Sequence, residues 1–169
     1  MVNIKRWLCH AFMPPWRWRV LFPGAVLTEI EAAIKNSEFQ HSGELRFAVE
    51  NARALGQVWR GSTARQRAVE VFSNLRVWDT EENSGVLIYL SLADREVHIV
   101  ADRGITRHVA QTEWDAIAKI MQKAFQTGDF LLGSLQGIER VTALLAAHFP
   151  PSGDNPNELC NKPVIVEHR

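Results

Sequence analysis

Between Phe72 and Gly104 the rhythm of apolar and polar positions changes repeatedly, and the region predicts a topology and a site together. An apolar helix end gives way to the acidic loop Trp78-Asp79-Thr80-Glu81-Glu82-Asn83-Ser84-Gly85. The run from Val86 to Leu92 is too apolar for a half-exposed strand, which places it at the centre of a sheet. Val97 to Ala101 is expected to return beside it, across the turn Ala93-Asp94-Arg95-Glu96.

Helical spacing surrounds this hairpin. Leu27, Ile30 and Ile34 share a face in a helix expected from Gly24 to about Gln40. Leu45, Phe47 and Val49 alternate with other residues as a strand after the Ser42-Gly43 turn, and residues 51–62 are expected as a longer connection. Thr63 and Gln66 have capping-box spacing and open a helix to about Val77 that buries Ala68, Phe72 and Leu75. Thr112, with Asp115 three residues on, is expected to start a helix striped by Trp114, Ile117 and Met121 and ended by Gly128. Asp129 is expected to cap a last helix through Leu131, Leu135, Ile138, Val141 and Leu145, which Pro150-Pro151 stops. Ser152 to Asn161 reads as loop, and Lys162 to Val166 as an edge strand or a packed tail.

Strand direction brings separate residues together. The Leu45 and Val86 strands are joined through a helix, so as neighbours they run parallel and begin at the same sheet end. The Val97 strand runs back and finishes there at Asp102. Glu44, the Asp79 to Asn83 loop, Asp102 and Arg103 are therefore expected to converge. Converging carboxylates repel unless a proton or cation intervenes, and hard oxygens suit calcium or magnesium. On that reading Asp79 and Asp102 ligate directly, Asn83 adds a neutral oxygen, and Glu81 or Glu82 stand in reserve. The alternative is a turn shaped by Asp79 and Asn83, with Asp102 paired to Arg103 or capping amides. His98, His108 and His148 have no ligand at metal-binding spacing.

Composition narrows the classes. With 169 residues, 46% of them hydrophobic and 22% charged, the chain reads as a globular α/β domain. Nineteen basic residues balance nineteen acidic ones, so no basic surface invites nucleic acid. Cys9 and Cys160 form no metal or redox pair, and no organic-cofactor fingerprint is present. Residues 1–22 carry Trp7, Trp16 and Trp18 among Lys5, Arg6, Arg17 and Arg19, with no acidic side chain. Such an arm either packs its tryptophans on the domain or meets an anionic membrane surface or membrane protein. Cys9-His10 and Pro14-Pro15 interrupt its apolar positions before secretory length, and no spanning helix is evident, so the expected location is cytoplasmic, with a peripheral membrane association open.

The residues Ser42-Gly43-Glu44, Phe72, Ser84 to Ile88, Asp102-Arg103-Gly104 and Gly128-Asp129-Phe130, in that order, resemble the TPM-domain family over about residues 25–150. That family is known from thylakoid-lumen, photosystem-maintenance and auxiliary membrane proteins. The resemblance implies a three-layer α/β sandwich, with a small mixed sheet between helices, over residues 23–150. Residues 1–22 would be an arm and 151–169 a tail. It also implies acidic loops able to hold calcium or a similar ion, and a weak acid-phosphatase activity proposed for some members. Carried over, Asp79, Asn83 and Asp102 are the metal candidates, and Glu44 and Arg103 the supporting or anion-contacting ones. The leading expectation is a metal-supported binding or accessory module near a membrane; the alternative is a low-activity metal-dependent phosphatase using Arg103 against phosphate charge.

Overall fold

The computed structural model describes residues 3–151 and 157–167. In chain order its elements are α1 (Ile4–Ala11), α2 (Arg17–Leu21), α3 (Gly24–Ser37), β1 (Glu44–Glu50), α4 (Leu55–Trp59) and α5 (Ala64–Asn74). The hairpin β2 (Gly85–Ser91) and β3 (Glu96–Ala101) follows, then α6 (Arg103–Thr106), α7 (Gln111–Gln126), α8 (Phe130–His148) and β4 (Val164–Val166). The strands form one mixed sheet in the order β3-β2-β1-β4, with β1 parallel to both β2 and β4 and β3 antiparallel to β2.

Alternation along the strands divides the interior into two layers. Leu45, Phe47 and Val49 of β1, with Val86, Ile88 and Leu90 of β2, face α3, α7 and α8 in the larger core. Ala48, Leu87 and Tyr89 face α5 in the smaller one. Helices thus cover both faces, which accounts for the unbroken apolar run of β2. The 19-residue α8 has the length and mean hydropathy, 1.2, of a membrane span, the one such helix among the described residues. Here Ile138, Val141 and Leu145 are buried in the larger core.

Several local expectations are refined. The Thr63–Gln66 capping box forms as expected. Thr112 does not cap α7: the helix starts at Gln111, after Ala110, and Asp115 instead accepts a hydrogen bond from the Gln111 side chain at 2.8 Å. Asp129 occupies the residue before α8, but its carboxylate accepts from Thr127 Oγ1 (3.0 Å) rather than from a helix amide. The 51–62 connection contains the short α4. Residues 152–156 of the expected C-terminal loop lie outside the described residues, and Val164 to Val166 form the edge strand β4.

Both described ends of the chain are fastened by buried charge. Asp94, in the β2–β3 turn, accepts from Arg6 Nε (2.6 Å), His10 Nε2 (3.1 Å) and Ser91 Oγ (2.9 Å), and Arg53 Nη2 lies 3.2 Å away. The Arg53 amide donates to His10 Nδ1 (3.0 Å), so the imidazole proton resides on Nε2 and points at Asp94. Burial pushes the Asp94 carboxyl up, but the bonds from His10, Arg6 and Ser91 outweigh it and hold the group at about 2. At the other end, the amides of Glu158 and Leu159 donate to the two Glu44 carboxylate oxygens at 3.2 and 3.1 Å, and Arg46 donates to the Cys160 carbonyl. Asn161 donates to Glu38 Oε2 at 2.8 Å. Burial pushes Glu38 from 4.5 to about 7, against the Asn161 bond that lowers it.

A depressed carboxyl stabilises the fold above its unfolded value, so the Asp94 contribution is lost as pH falls from 3.8 towards about 2. Tryptophan fluorescence, sensitive to the edge-to-face pair of Trp7 and Trp59, should report α1 detaching in that window. Asp94→Asn should be less stable at neutral pH, by on the order of 3 kcal/mol, and lose that acid-dependent component. Glu38 has the opposite sign: its raised value favours the protonated fold, so stability declines as pH rises from 4.5 to about 7. Glu38→Gln, which keeps an oxygen for Asn161, should remove this decline in urea titrations across that range.

Candidate functional site at the acidic end of the sheet

The register brings the expected sheet end together. Glu44 lies opposite Gly85, Val86 opposite Ala101, and the Asp102 amide donates to the Gly85 carbonyl at 2.9 Å. The loop before β2 closes on itself: Ser84 N donates to Thr80 Oγ1 (2.9 Å) and Asn83 N to the Thr80 carbonyl (3.2 Å). Asn83 then adopts φ 53°, a left-handed conformation that Asn tolerates better than most side chains.

This turn aims Asn83 at the start of α6. Its carbonyl accepts from Gly104 N (3.1 Å), and its Oδ1 accepts from Arg103 Nε (3.0 Å). A Cβ on Gly104 would stand 2.5 Å from the Asn83 carbonyl oxygen and 2.6 Å from that of Glu82. Glycine is therefore what lets the loop carbonyls approach the helix start.

Asp102 caps this short helix, with Oδ1 accepting from the Arg103 amide at 2.7 Å. The residue is only 8% exposed, and Oδ2 is buried with no hydrogen-bond partner among the described residues. A buried carboxylate oxygen without a donor is costly, so it is the unusual atom at this end.

The structure joins Arg103 to Asn83 through its side chain and to Asp102 through its amide. Asp79 is exposed in the same loop, and no hydrogen bond or ion pair joins it to Asp102 or Asn83. Glu44 begins β1 at this end, but both of its oxygens are occupied by the tail amides, and burial raises its carboxyl in spite of them. Glu81 and Glu82 are exposed; the Glu81 amide donates to Glu158 Oε2 (2.9 Å), and Glu82 Oε2 accepts from Ser42 Oγ at 3.4 Å. Among the described residues no three His, Cys, Asp or Glu side chains gather as a metal-binding group. A cation here would depend on Asp102, the Asn83 side-chain oxygen and backbone carbonyls.

The N-terminal candidates lie elsewhere. Trp7 packs edge-on to Trp59, Trp18 packs against the larger core with the Arg19 guanidinium 5.1 Å from its ring, and Trp16 is 60% exposed beside the exposed Arg17. Two polar centres escaped sequence reading. One is Asp94, which reads only as a turn residue. The other is Glu50, which takes a two-pronged bond from Arg67 (2.9 and 3.1 Å) and one from Tyr89. The only signal in the sequence was the spacing of Glu44, Arg46 and Glu50 two and four residues apart on the face opposite Leu45, Phe47 and Val49.

A family model described as the TPM domain matches residues 20–144. The NMR structure of the BA42 protein from the psychrophilic bacterium Bizionia argentinensis is similar, with 32% identity and a TM-score of 0.74, over 84% of this chain and 93% of that one. The N-terminal domain of a P. gingivalis protein shares the fold at 15% identity, with a TM-score of 0.62, over 79% of this chain and 83% of that one. No curated protein matches. With the acidic loop, the sheet order and the Asp102-Arg103-Gly104 turn all in place, this chain belongs to the TPM-domain family.

Proposed function

We propose that the domain is a binding or accessory module supported by a divalent cation, calcium or magnesium, at the Asp102 end of the sheet. The observation that carries this reading is Asp102 Oδ2, buried without a donor among the described residues, on a carboxylate whose other oxygen is fixed by the Arg103 amide. The residues fit such an ion in kind: Asp102, Asn83 Oδ1 and the Glu82 and Asn83 carbonyls are hard oxygen donors, and the exposed Asp79, Glu81 and Glu82 carry further negative charge. When bound, the ion supplies a fixed positive charge that offsets the buried carboxylate and can meet an anionic group of a partner.

The chain's own residues set the rest. Arg103 shares Asn83 Oδ1 in the present arrangement, so a cation there requires the guanidinium to turn outward. Its side chain is exposed, and outward it becomes a second contact for the same anion. Binding needs only this exchange, whereas catalysis would also need an attacking group in place.

Melting temperature followed during calcium, magnesium and manganese titration tests the reading. One of these ions should raise it by about 5–10 °C at a hundredfold excess over Kd. Asp102→Asn should abolish the shift while keeping the α6 cap, because an amide oxygen still accepts from Arg103 N. No shift with any ion, or an equal shift in the variant, would sink the proposal. Turnover of an aryl phosphate that requires the ion and disappears in Asp102→Asn would replace the module with a phosphatase.

A further inference from the structure

The opposite end of the sheet holds a half-open cavity of about 720 Å³. Its size falls within the roughly 300–1,000 Å³ range of small-molecule sites. Leu90 and Leu92 form its wall at the carboxyl end of β2, where open α/β sheets commonly receive ligands. Phe125 and Phe130 close another side, their rings stacked with centroids 5.1 Å apart across the α7–α8 junction. The N-terminal segment contributes Phe12 and Met13. Phe12 is 78% exposed.

The mouth carries charge of one sign. Arg17 and Arg95 line it, both exposed, and neither guanidinium makes a hydrogen bond or ion pair among the described residues. No acidic side chain is among the described lining residues. The nearby Asp94 does not offset them, since it is already committed to Arg6, His10 and Arg53. Arg95 adopts a left-handed φ of 57° in the β2–β3 turn.

From a cavity whose apolar side chains share the lining with Gln122, Gln126 and Thr127, and from its two uncommitted guanidinium groups, we infer that it binds a small amphiphilic anion, a fatty carboxylate with its chain against the leucines and phenylalanines and its head on Arg17 and Arg95. The apolar walls remove the chain from water, and a guanidinium fork matches a carboxylate in geometry and charge. The site is separate from the Asp102 end and stands without the cation proposed there.

The two thiols make the test internal. Both thiols are exposed, but Cys9 lines the cavity and Cys160 lies on the tail beside Arg46. Maleimide labelling, read cysteine by cysteine by mass spectrometry, would be measured with dodecanoate below its micelle concentration and accompanied by calorimetric titration. At a tenfold excess over Kd about nine-tenths of the sites are filled, so Cys9 labelling should slow roughly tenfold while Cys160 keeps its rate. The exposed pair Arg17→Ala/Arg95→Ala should keep the fold and weaken dodecanoate binding roughly tenfold or more. Acetate and dodecyltrimethylammonium should protect neither thiol. The inference is overturned by no binding heat with unchanged Cys9 labelling, by equal protection of both cysteines, or by equal protection from the cationic amphiphile.

Discussion

The central strand β1 buries three ionisable side chains on one face, Glu44, Arg46 and Glu50, and the covering of that face depends on satisfying them. A charge removed from water is tolerable only with partners of good geometry, and losing one partner typically costs 3–5 kcal/mol, roughly. Glu50 recruits Arg67 from α5 and Tyr89 from β2; burial, reinforced by the neighbouring Glu50, holds the Tyr89 phenol far above its ordinary ionisation range. Arg46 takes the Cys160 carbonyl, and Glu44 takes two amides of the tail. A one-residue slip of β1 would send these charges into the apolar core occupied by Leu45, Phe47 and Val49. The same charges therefore set the register and call in the segments that cover them.

That arrangement separates two kinds of chemistry along β2. At its start the acidic loop and Asp102 face one another across backbone hydrogen bonds; at its finish the leucines open onto an apolar, basic-rimmed cavity. The N-terminal helices belong to the second end. They are held through Asp94 as well as by Phe22 in the larger core, so their docking combines charge with burial.

How much of this could be read from residues alone depended on whether the cause was local. Strand alternation and helical spacing identified the hairpin, α3, α5, α7 and α8, and strand direction placed Asp102 beside Gly85. The partners of Glu44 are amides more than a hundred positions away in a loop with no periodic signal, so its buried, tail-holding role was not legible. Asp94 sits in a sequence that turn chemistry explains completely, and nothing near it announces Arg6, His10 or Arg53. The starts of α7 and α8 were legible to within a residue, but not which side chain would bond there, because Gln111 and Thr127 compete for Asp115 and Asp129. The cavity is a property of three segments meeting, and its walls in isolation read as ordinary core.

The hydrogen bonds from Arg65 Nη1 (3.3 Å) and Gln111 Nε2 (3.5 Å) to the Ile99 carbonyl have a further consequence. Ile99 lies on β3, the outer strand on one side of the sheet, and these side chains occupy an oxygen that a foreign strand would need. On the other side, β4 is three residues long and follows Pro163, which has no amide hydrogen to offer. Both margins are thus poor templates for strand addition. Growth of the sheet into neighbouring molecules is discouraged at each border, and any association of this domain is directed to its helices, loops and mouths.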